Sequence, residues 1–524
     1  MRASRWSRWA ALGLVLAAAL VGSAGWAAAS PAAPPLPSAD PFYAYHGPLA
    51  ALAPGTVLRT RTVNVAENGN PTPITAEQIL YRTTGQLGQP TATVTTMLRP
   101  ATSVLPGPTK LISYQTAYDA LGSECDPSYT LQGGNPGYST AQGEEQIILG
   151  YVQAGYTVVV PDYEGEALDW AAGQESGYGT LDGIRAAEHV LSAAPASTPV
   201  GILGYSGGSI ATEFASELAP TYAKELHIVG TAEGGVPVDM FHNLAYINGS
   251  PSWSGVIPAV LSSVTRAFGI DFAPYLSAYG ATVEGQVAGQ CINNFLGAYP
   301  GLTYQKLLGP KYQNIFAIAP FVRITDELIM SRTGTPKGPL FIGVGNADGT
   351  GDGVMVAKDD QALAYTYCAR GVPVQFSQYT GDDHTNAAVP FERDALNFLT
   401  ARMNGQGVTN GCSSIGPGNS LAPLAVPGPP TTRVPHVRLA VLGRKARRHG
   451  LVIELSTTNG TLRHVVVTLR SHGRVIARVT VAQLTTHTRV IVLRNHGRMP
   501  RAGRYTLIVR SGATVLRTRR LKLR

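Results

Sequence analysis

Between about Phe42 and Cys412, short apolar runs alternate with longer segments of helical spacing. The runs fall at 110–114, 156–160, 199–203, 226–231, 339–344 and 374–379. They are mostly rich in β-branched or aromatic residues and lack strict alternation, as expected of strands buried on both faces of a largely parallel sheet. Helix-like segments at 181–194, 208–218, 359–369 and 391–403 lie between or after them. This alternation predicts a doubly wound α/β domain. The rhythm breaks at Pro237 and returns near Thr335; the stretch between mixes aromatics with Ala and Leu and reads as a mostly helical cap inserted into the domain.

A different pattern follows. Six prolines between Pro417 and Pro435 mark a semi-rigid linker. Beyond it, short alternating or apolar runs at 451–455, 464–469, 475–481, 488–493 and 505–509 are punctuated by Asn459-Gly460, His472-Gly473 and Ala502-Gly503. Such spacing predicts a small all-β, sandwich-like domain. The expected organisation is a leader over 1–29, an α/β domain over 30–416 with its cap at about 237–335, a linker over 417–435 and a β-domain over 436–524. The Ala/Pro-rich lead-in from Ser30 to Asp40 is expected to be poorly ordered.

Composition sharpens the division. With 44% hydrophobic and 14% charged residues over 524 positions, the chain can bury a large core and is not a long disordered protein. The net charge of +8 hides a split. Residues 431–524 hold 19 Arg and two Lys against one acid, Glu454, for a net +20. The remainder holds 20 basic and 32 acidic residues, a net −12. An acidic body is thus joined to a strongly basic tail.

The N-terminus reads as a signal peptide. Arg2, Arg5 and Arg8 precede an apolar run from Ala10 to Val21, too short to span a membrane, and Ala27-Ala28-Ala29 before Ser30 offers a cleavage site. Export permits disulfides. Cys125, Cys291, Cys368 and Cys412 allow three pairings, and they lack the CxxC spacing of a structural zinc site.

Gly204-Tyr205-Ser206-Gly207-Gly208 has the G-x-S-x-G form. Alone it is a weak signal; here it follows the strand-like 200–203 and opens the helix-like segment, the setting of a nucleophile elbow with Ser206 exposed at a strained turn. A serine needs a base, and the base needs an orienting acid. His227, His242 and His384 follow within the body. His384 suits best, in a loop after the run at 374–379; His227 lies inside a strand, and His242 opens the insertion. Asp348 and Asp352 both follow the run at 339–344. Asp352 is preferred as the acid because Val354-Met355-Val356 can anchor it. That Gly-rich stretch lacks the ligand ladder of a calcium loop. The amide of Gly207 is expected to be one oxyanion donor, with a second somewhere in Gln115 to Asp119. No metal or organic cofactor is needed for this chemistry.

Further pieces accompany the elbow: Ser113-Tyr114-Gln115, Tyr118-Asp119, Cys125-Asp126-Pro127-Ser128-Tyr129, Pro161-Asp162-Tyr163-Glu164-Gly165, Leu181-Asp182-Gly183-Ile184-Arg185-Ala186 and Gly234-Gly235-Val236-Pro237. Together they resemble the secretory lipase family of α/β-hydrolases, the fungal lipase A type, from about Phe42 to Cys412. The resemblance implies Ser206 as nucleophile, Asp352 as acid and His384 as base. It also implies Asp119 as the second oxyanion donor, the pairs Cys125–Cys291 and Cys368–Cys412, and a helical cap over an acyl site. One departure is visible: the family's D-x-[IV]-V-P becomes Asp352-Gly353-Val354-Met355-Val356, which keeps Asp348 open beside Asp352.

The expected activity is that of a secreted serine esterase or lipase acting on lipid or other esters. Acyl transfer to an alcohol uses the same site, and a peptidase on this fold is a weaker enzymatic alternative. A reading of another class makes the Arg-rich β-domain the working part, contacting anionic polymers or membranes. Nucleic acid is set aside for an exported chain without an aromatic platform. No motif fixes an oligomeric state.

Overall fold

A nine-stranded sheet organises the first unit of the chain in this computed structural model. Its strands are β1 (Val57–Glu67), β2 (Asn70–Thr84), β3 (Pro90–Leu98), β4 (Leu111–Gln115), β5 (Thr157–Pro161), β6 (Pro199–Tyr205), β7 (His227–Gly234), β8 (Leu340–Asn346) and β9 (Val374–Thr380). Their spatial order is β1-β2-β3-β5-β4-β6-β7-β8-β9. The structure describes residues 33–67, 70–100, 108–134, 140–427, 437–442, 450–458, 460–496, 500–512 and 514–523. The chain divides into two compact units, one through Pro427 and one from Gly428 to Arg524. The expected leader over 1–29, and the linker from residue 428 onward, lie outside the described residues.

From β4 to β9 the pairing is parallel, whereas β1, β2 and β3 join antiparallel, and β3 meets β5 antiparallel. The central strands β4, β5 and β6 are buried at every residue, which is why they read as continuous apolar runs. The three antiparallel strands escaped the sequence reading. Val57–Glu67 carries Arg59, Thr60, Arg61 and Asn64 at exposed or half-exposed positions, so its apolar signal is diluted. The lead-in is more ordered than expected: Pro37 is buried in a short 3-10 turn, and Asp40 pairs with Arg61 at 2.5 Å.

The helix before the elbow spans Gly173–Val190, starting earlier than the sequence suggested. Its glycines are packing residues. A Cβ at Gly173 would lie 2.1 Å from the Phe214 ring, and one at Gly177 would lie 2.8 Å from the backbone of Phe214. The helix therefore lies directly on its neighbour, Gly207–Tyr222. The insertion is mostly helical, with Met240–Tyr246, Val256–Ala267, Ala278–Val287 and Ala319–Glu327 as its longer helices. One continuous apolar cluster joins these helices to the sheet through Phe214, Val236, Val264, Phe321, Ile342 and Val344. Cys125 is bonded to Cys291, tying the loop after β4 to the cap, and Cys368 is bonded to Cys412 at the end of the body. No helix among the described residues is long and apolar enough to cross a membrane.

The second unit packs two antiparallel sheets. One holds β10 (Val437–Val441), β11 (Leu451–Thr457) and β14 (Arg489–Leu493); the other holds β12 (Leu462–Ser471), β13 (Arg474–Leu484), β15 (Gly503–Ser511) and β16 (Thr514–Leu523). Leu451, Ile453 and Leu455 of the first sheet share a core with Val465, Val467, Leu469, Leu507 and Val509 of the second. That shared core makes the unit sandwich-like.

Candidate active site

The C-terminal ends of parallel strands are where an open α/β sheet places its ligands. Here the ends of β4, β6, β8 and β9 each deliver one part of a site. After β6 the chain turns at Ser206, held at φ 56° and ψ −125°, and enters the helix Gly207–Tyr222. This left-handed turn is the strain an elbow requires of a non-glycine residue. The glycines around it are there for clearance. A Cβ at Gly204 would meet the Gly208 carbonyl oxygen at 2.3 Å, and one at Gly208 would meet the Gln115 carbonyl oxygen at 2.0 Å. At Gly207 it would fall 1.6 Å from Asp119 Oδ1, so the loop after β4 can close on the elbow only over a glycine.

His384 comes from the end of β9. It is the first residue of the helix His384–Met403, not part of a free loop, and Asp383 caps that helix by accepting the Asn386 N–H at 2.9 Å. Nε2 of His384 lies 2.7 Å from Ser206 Oγ, and Nδ1 lies 2.7 Å from Asp352 Oδ2. The two aspartates differ in position. Asp352 is buried; its Oδ1 accepts the N–H groups of Val354 and Met355 at 3.0 and 2.7 Å, and its carbonyl accepts the His384 N–H at 2.9 Å. Asp348 is exposed, accepts the N–H groups of Thr350 and Gly351, and receives the Tyr246 hydroxyl at 2.8 Å. These donors hold its carboxyl below the ordinary range, as befits a turn acid. His227 is exposed at the opposite end of β7. His242 pairs instead with Asp359, at 3.0 Å, a hydrogen bond that raises its pKa.

Tyr205, the residue before the serine, has a role the sequence did not reveal. Its hydroxyl donates to the His384 carbonyl at 2.7 Å, and its ring sits 5.1 Å from the imidazole. It thereby links the elbow to the histidine's own backbone. Trp253, from the cap, stands edge-on to His384 with ring centres 5.2 Å apart. Neither contact has a sequence signal, because each joins residues more than 100 positions apart.

The loop after β4 is fixed by buried polar groups. The Tyr163 hydroxyl donates to the Thr116 carbonyl at 2.7 Å; Glu144 accepts the Ala117 N–H at 3.1 Å; Glu164 accepts the Ala120 N–H at 3.0 Å. Within this loop Asp119 has φ 44°, and its carboxyl is buried beside Gly207. Burial pushes that carboxyl up to about 7, against the opposing pull of His384 and the Trp170 indole. Gly207 opens its helix, where a backbone N–H has no intrahelical acceptor. The helix N-terminus adds a partial positive charge at the serine.

Ser206 and Asp119 form the polar end of a narrow cavity of about 80 Å³. Its walls are apolar, among them Trp170, Phe214, Leu244, Trp253, Val260 and Met330, drawn from both body and cap. Such a lining suits an apolar group better than a charged one.

A family model described as secretory lipase matches residues 136–411. Lipase A of Arthroderma benhamiae is 32% identical over 405 residues, covering 73% of this chain and 83% of that protein. A probable inactive lipase of Mycobacterium tuberculosis is 33% identical over 384 residues, covering 72% of this chain and 84% of that one. Among solved structures, Candida antarctica lipase A in its closed state superposes with a TM-score of 0.66 at 30% identity, over 77% of this chain and 94% of its own. These likenesses extend through the α/β body and its cap, well beyond what a shared sheet requires, and they place the chain in the secretory lipase family of α/β-hydrolases.

Proposed function

We propose that the chain is a secreted serine carboxylic-ester hydrolase, a lipase, working through an acyl-enzyme on Ser206. The observation that carries this reading is the line Ser206 Oγ, His384 Nε2, His384 Nδ1, Asp352 Oδ2, with 2.7 Å at both hydrogen bonds. In the proposed reaction, Ser206 Oγ attacks the ester carbonyl carbon as His384 Nε2 takes its proton. Asp352 holds the imidazole in the required tautomer and stabilises the imidazolium. The amides of Gly207 and Asp119 receive the developing oxyanion. Collapse expels the alcohol, which takes its proton from His384. A water then gives its proton to His384 and attacks the acyl carbon, releasing the acid and restoring Ser206.

The relative from M. tuberculosis bears the name of an inactive lipase. The intact hydrogen-bonded line in this chain supports activity here. The two disulfides and the N-terminal pattern Arg2 to Ala29 support export. The apolar cavity under the cap favours acyl chains over small polar acids. A relative from Fusarium sporotrichioides, 33% identical over 391 residues, is named a trichothecene C-3 esterase, so esters other than glycerides belong in the test.

The test is hydrolysis of p-nitrophenyl esters of graded acyl length by wild type and Ser206→Ala. The expected result is activity that rises beyond short acyl chains and falls by about 10⁴-fold or more in the variant. Activity retained by Ser206→Ala would remove the serine from its role.

A further inference from the structure

The β-domain carries its charge on one built face. Along β15 the side chains alternate: Tyr505, Leu507 and Val509 are buried, while Arg504, Thr506, Ile508 and Arg510 face outward. The neighbours extend that outward set in register. Arg470 of β12 stands beside Thr506, which stands beside Arg520 of β16; Arg504 stands directly beside Lys522. Arg478 of β13 lies opposite Thr468 at the other side of the sheet. Six cations therefore share the outer face of the four-stranded sheet, and among the described residues none of them forms a salt bridge. The only acid of the segment, Glu454, sits on β11 of the other sheet.

This arrangement is unfavourable for the domain alone. Like charges directly opposite on a sheet repel, and Arg504 with Lys522 is such a pair. A local rule broken without compensation inside the fold points to a partner outside it. The face is shaped as well as charged. Arg470, Arg504, Arg520 and Lys522 surround a shallow concavity of about 710 Å³ with Ile508 among its lining residues. Val475, half exposed at the β12–β13 hairpin, pairs with Arg470 at its edge. Cations set around exposed aliphatic side chains suit a surface with anionic headgroups above hydrocarbon better than a fully solvated polyanion.

We propose that this face binds the anionic surface of a lipid aggregate. The body, at net −12, is repelled by such a surface, and ester hydrolysis makes carboxylate products that add to its charge. The domain, at net +20, reverses the sign of the whole chain. It thereby keeps a lipid-active body at an interface that its own reaction makes more negative. The substrate context rests on the hydrolase reading; the binding itself does not depend on it.

The test uses the full chain with Ser206→Ala, so that vesicles survive, and co-sedimentation with vesicles of equal parts phosphatidylglycerol and phosphatidylcholine. Binding is expected at low salt, lost at high salt, and absent on phosphatidylcholine alone. Arg504→Gln with Lys522→Gln should weaken it about 25-fold, at about fivefold per cation. Arg438→Gln with Arg489→Gln, an equal charge change on the other sheet, should weaken it less than about twofold. An unchanged β-domain unfolding transition in both pairs checks folding. Equal losses from both pairs, equal binding to neutral vesicles, or capture by soluble polyphosphate without vesicle binding would each overturn the proposal.

Discussion

Glu213, Glu217, Glu233 and Asp360 lie buried in the body, whereas Arg470, Arg504, Arg520 and Lys522 stand exposed on the β-domain. In the body these ionisable groups are drawn inward, some of them onto hydrogen-bond donors. Glu217 accepts the N–H groups of Ser331, Thr333 and Gly334 at 2.5, 2.6 and 2.7 Å; Glu213 accepts the Tyr367 hydroxyl. Burial raises Glu217 to about 8 despite these three donors, and burial, reinforced by nearby Glu213, pushes the Glu233 carboxyl well above its ordinary range. In the β-domain the core is aliphatic apart from Tyr505. The first region spends its charges on holding loops and a hydrogen-bonded line in place. The second keeps its charges at the surface.

The largest test of this contrast lies at the site. Asp352→Asn should leave the backbone contacts near Val354 in place yet present the wrong hydrogen-bonding partner to His384. It should lower kcat by about 10⁴-fold, while Asp348→Asn, on an exposed turn, should stay within about twofold. Comparable losses from both would mean that burial does not separate a working acid from a solvated one.

Next comes the covalent tie between body and cap. Cys125→Ser with Cys291→Ser opens a closure spanning 166 residues and should cost about 2–5 kcal/mol of body stability, read from the denaturant midpoint. The β-domain transition should not move. A shift of both transitions together would break the division into two units.

A pH series sharpens the same division. Burial raises Glu175 to about 8, and Glu188 and Glu392 to about 7. These carboxyls keep in the fold protons that the unfolded chain releases. Their stabilisation is full below the ordinary Glu value of about 4.3 and is lost as pH rises through 7 to 8. The raised pKa of His242 acts in the same direction. Body Tm should therefore fall from pH 4.5 to pH 8, while the β-domain, with Glu454 as its one acid, should hold steady. A flat body profile would mean that these carboxyls are ionised and solvated.

The smallest expected effect is that of Tyr205→Phe, which removes one hydroxyl from the His384 carbonyl. A buried hydrogen bond of this kind contributes about 1 kcal/mol. If Tyr205 positions the histidine, kcat should fall about fivefold with KM unchanged, and the acid limb of the pH–rate profile should shift. A fall in stability alone would assign it a packing role.

How much of this was legible in the sequence follows from where each signal lies. The central strands β4, β5 and β6 announce themselves because they are buried on both faces. The edge strands do not: β16 carries Arg517, Arg519 and Arg520 close together, so no period of two survives. Gly204, Ser206 and Gly208 were readable because the elbow is local. Asp352 is preferred over Asp348 from its apolar flank and the family resemblance, and the contact that distinguishes it, with His384, lies 32 positions away. Trp253 and Tyr205 carried no signal, since what they touch is fixed by the fold. The helix at His384 was placed late because Pro390 reads as a start, yet it sits inside the helix.

The central claim is that Ser206 becomes acylated. The most direct measurement is mass spectrometry of the peptide labelled by an alkyl fluorophosphonate, which traps an activated serine as a covalent adduct. One adduct per chain, mapped to Ser206, abolished by Ser206→Ala and strongly slowed by His384→Ala, is the expected result. Labelling at another residue, or hydrolysis that continues after Ser206 is fully blocked, would contradict the account.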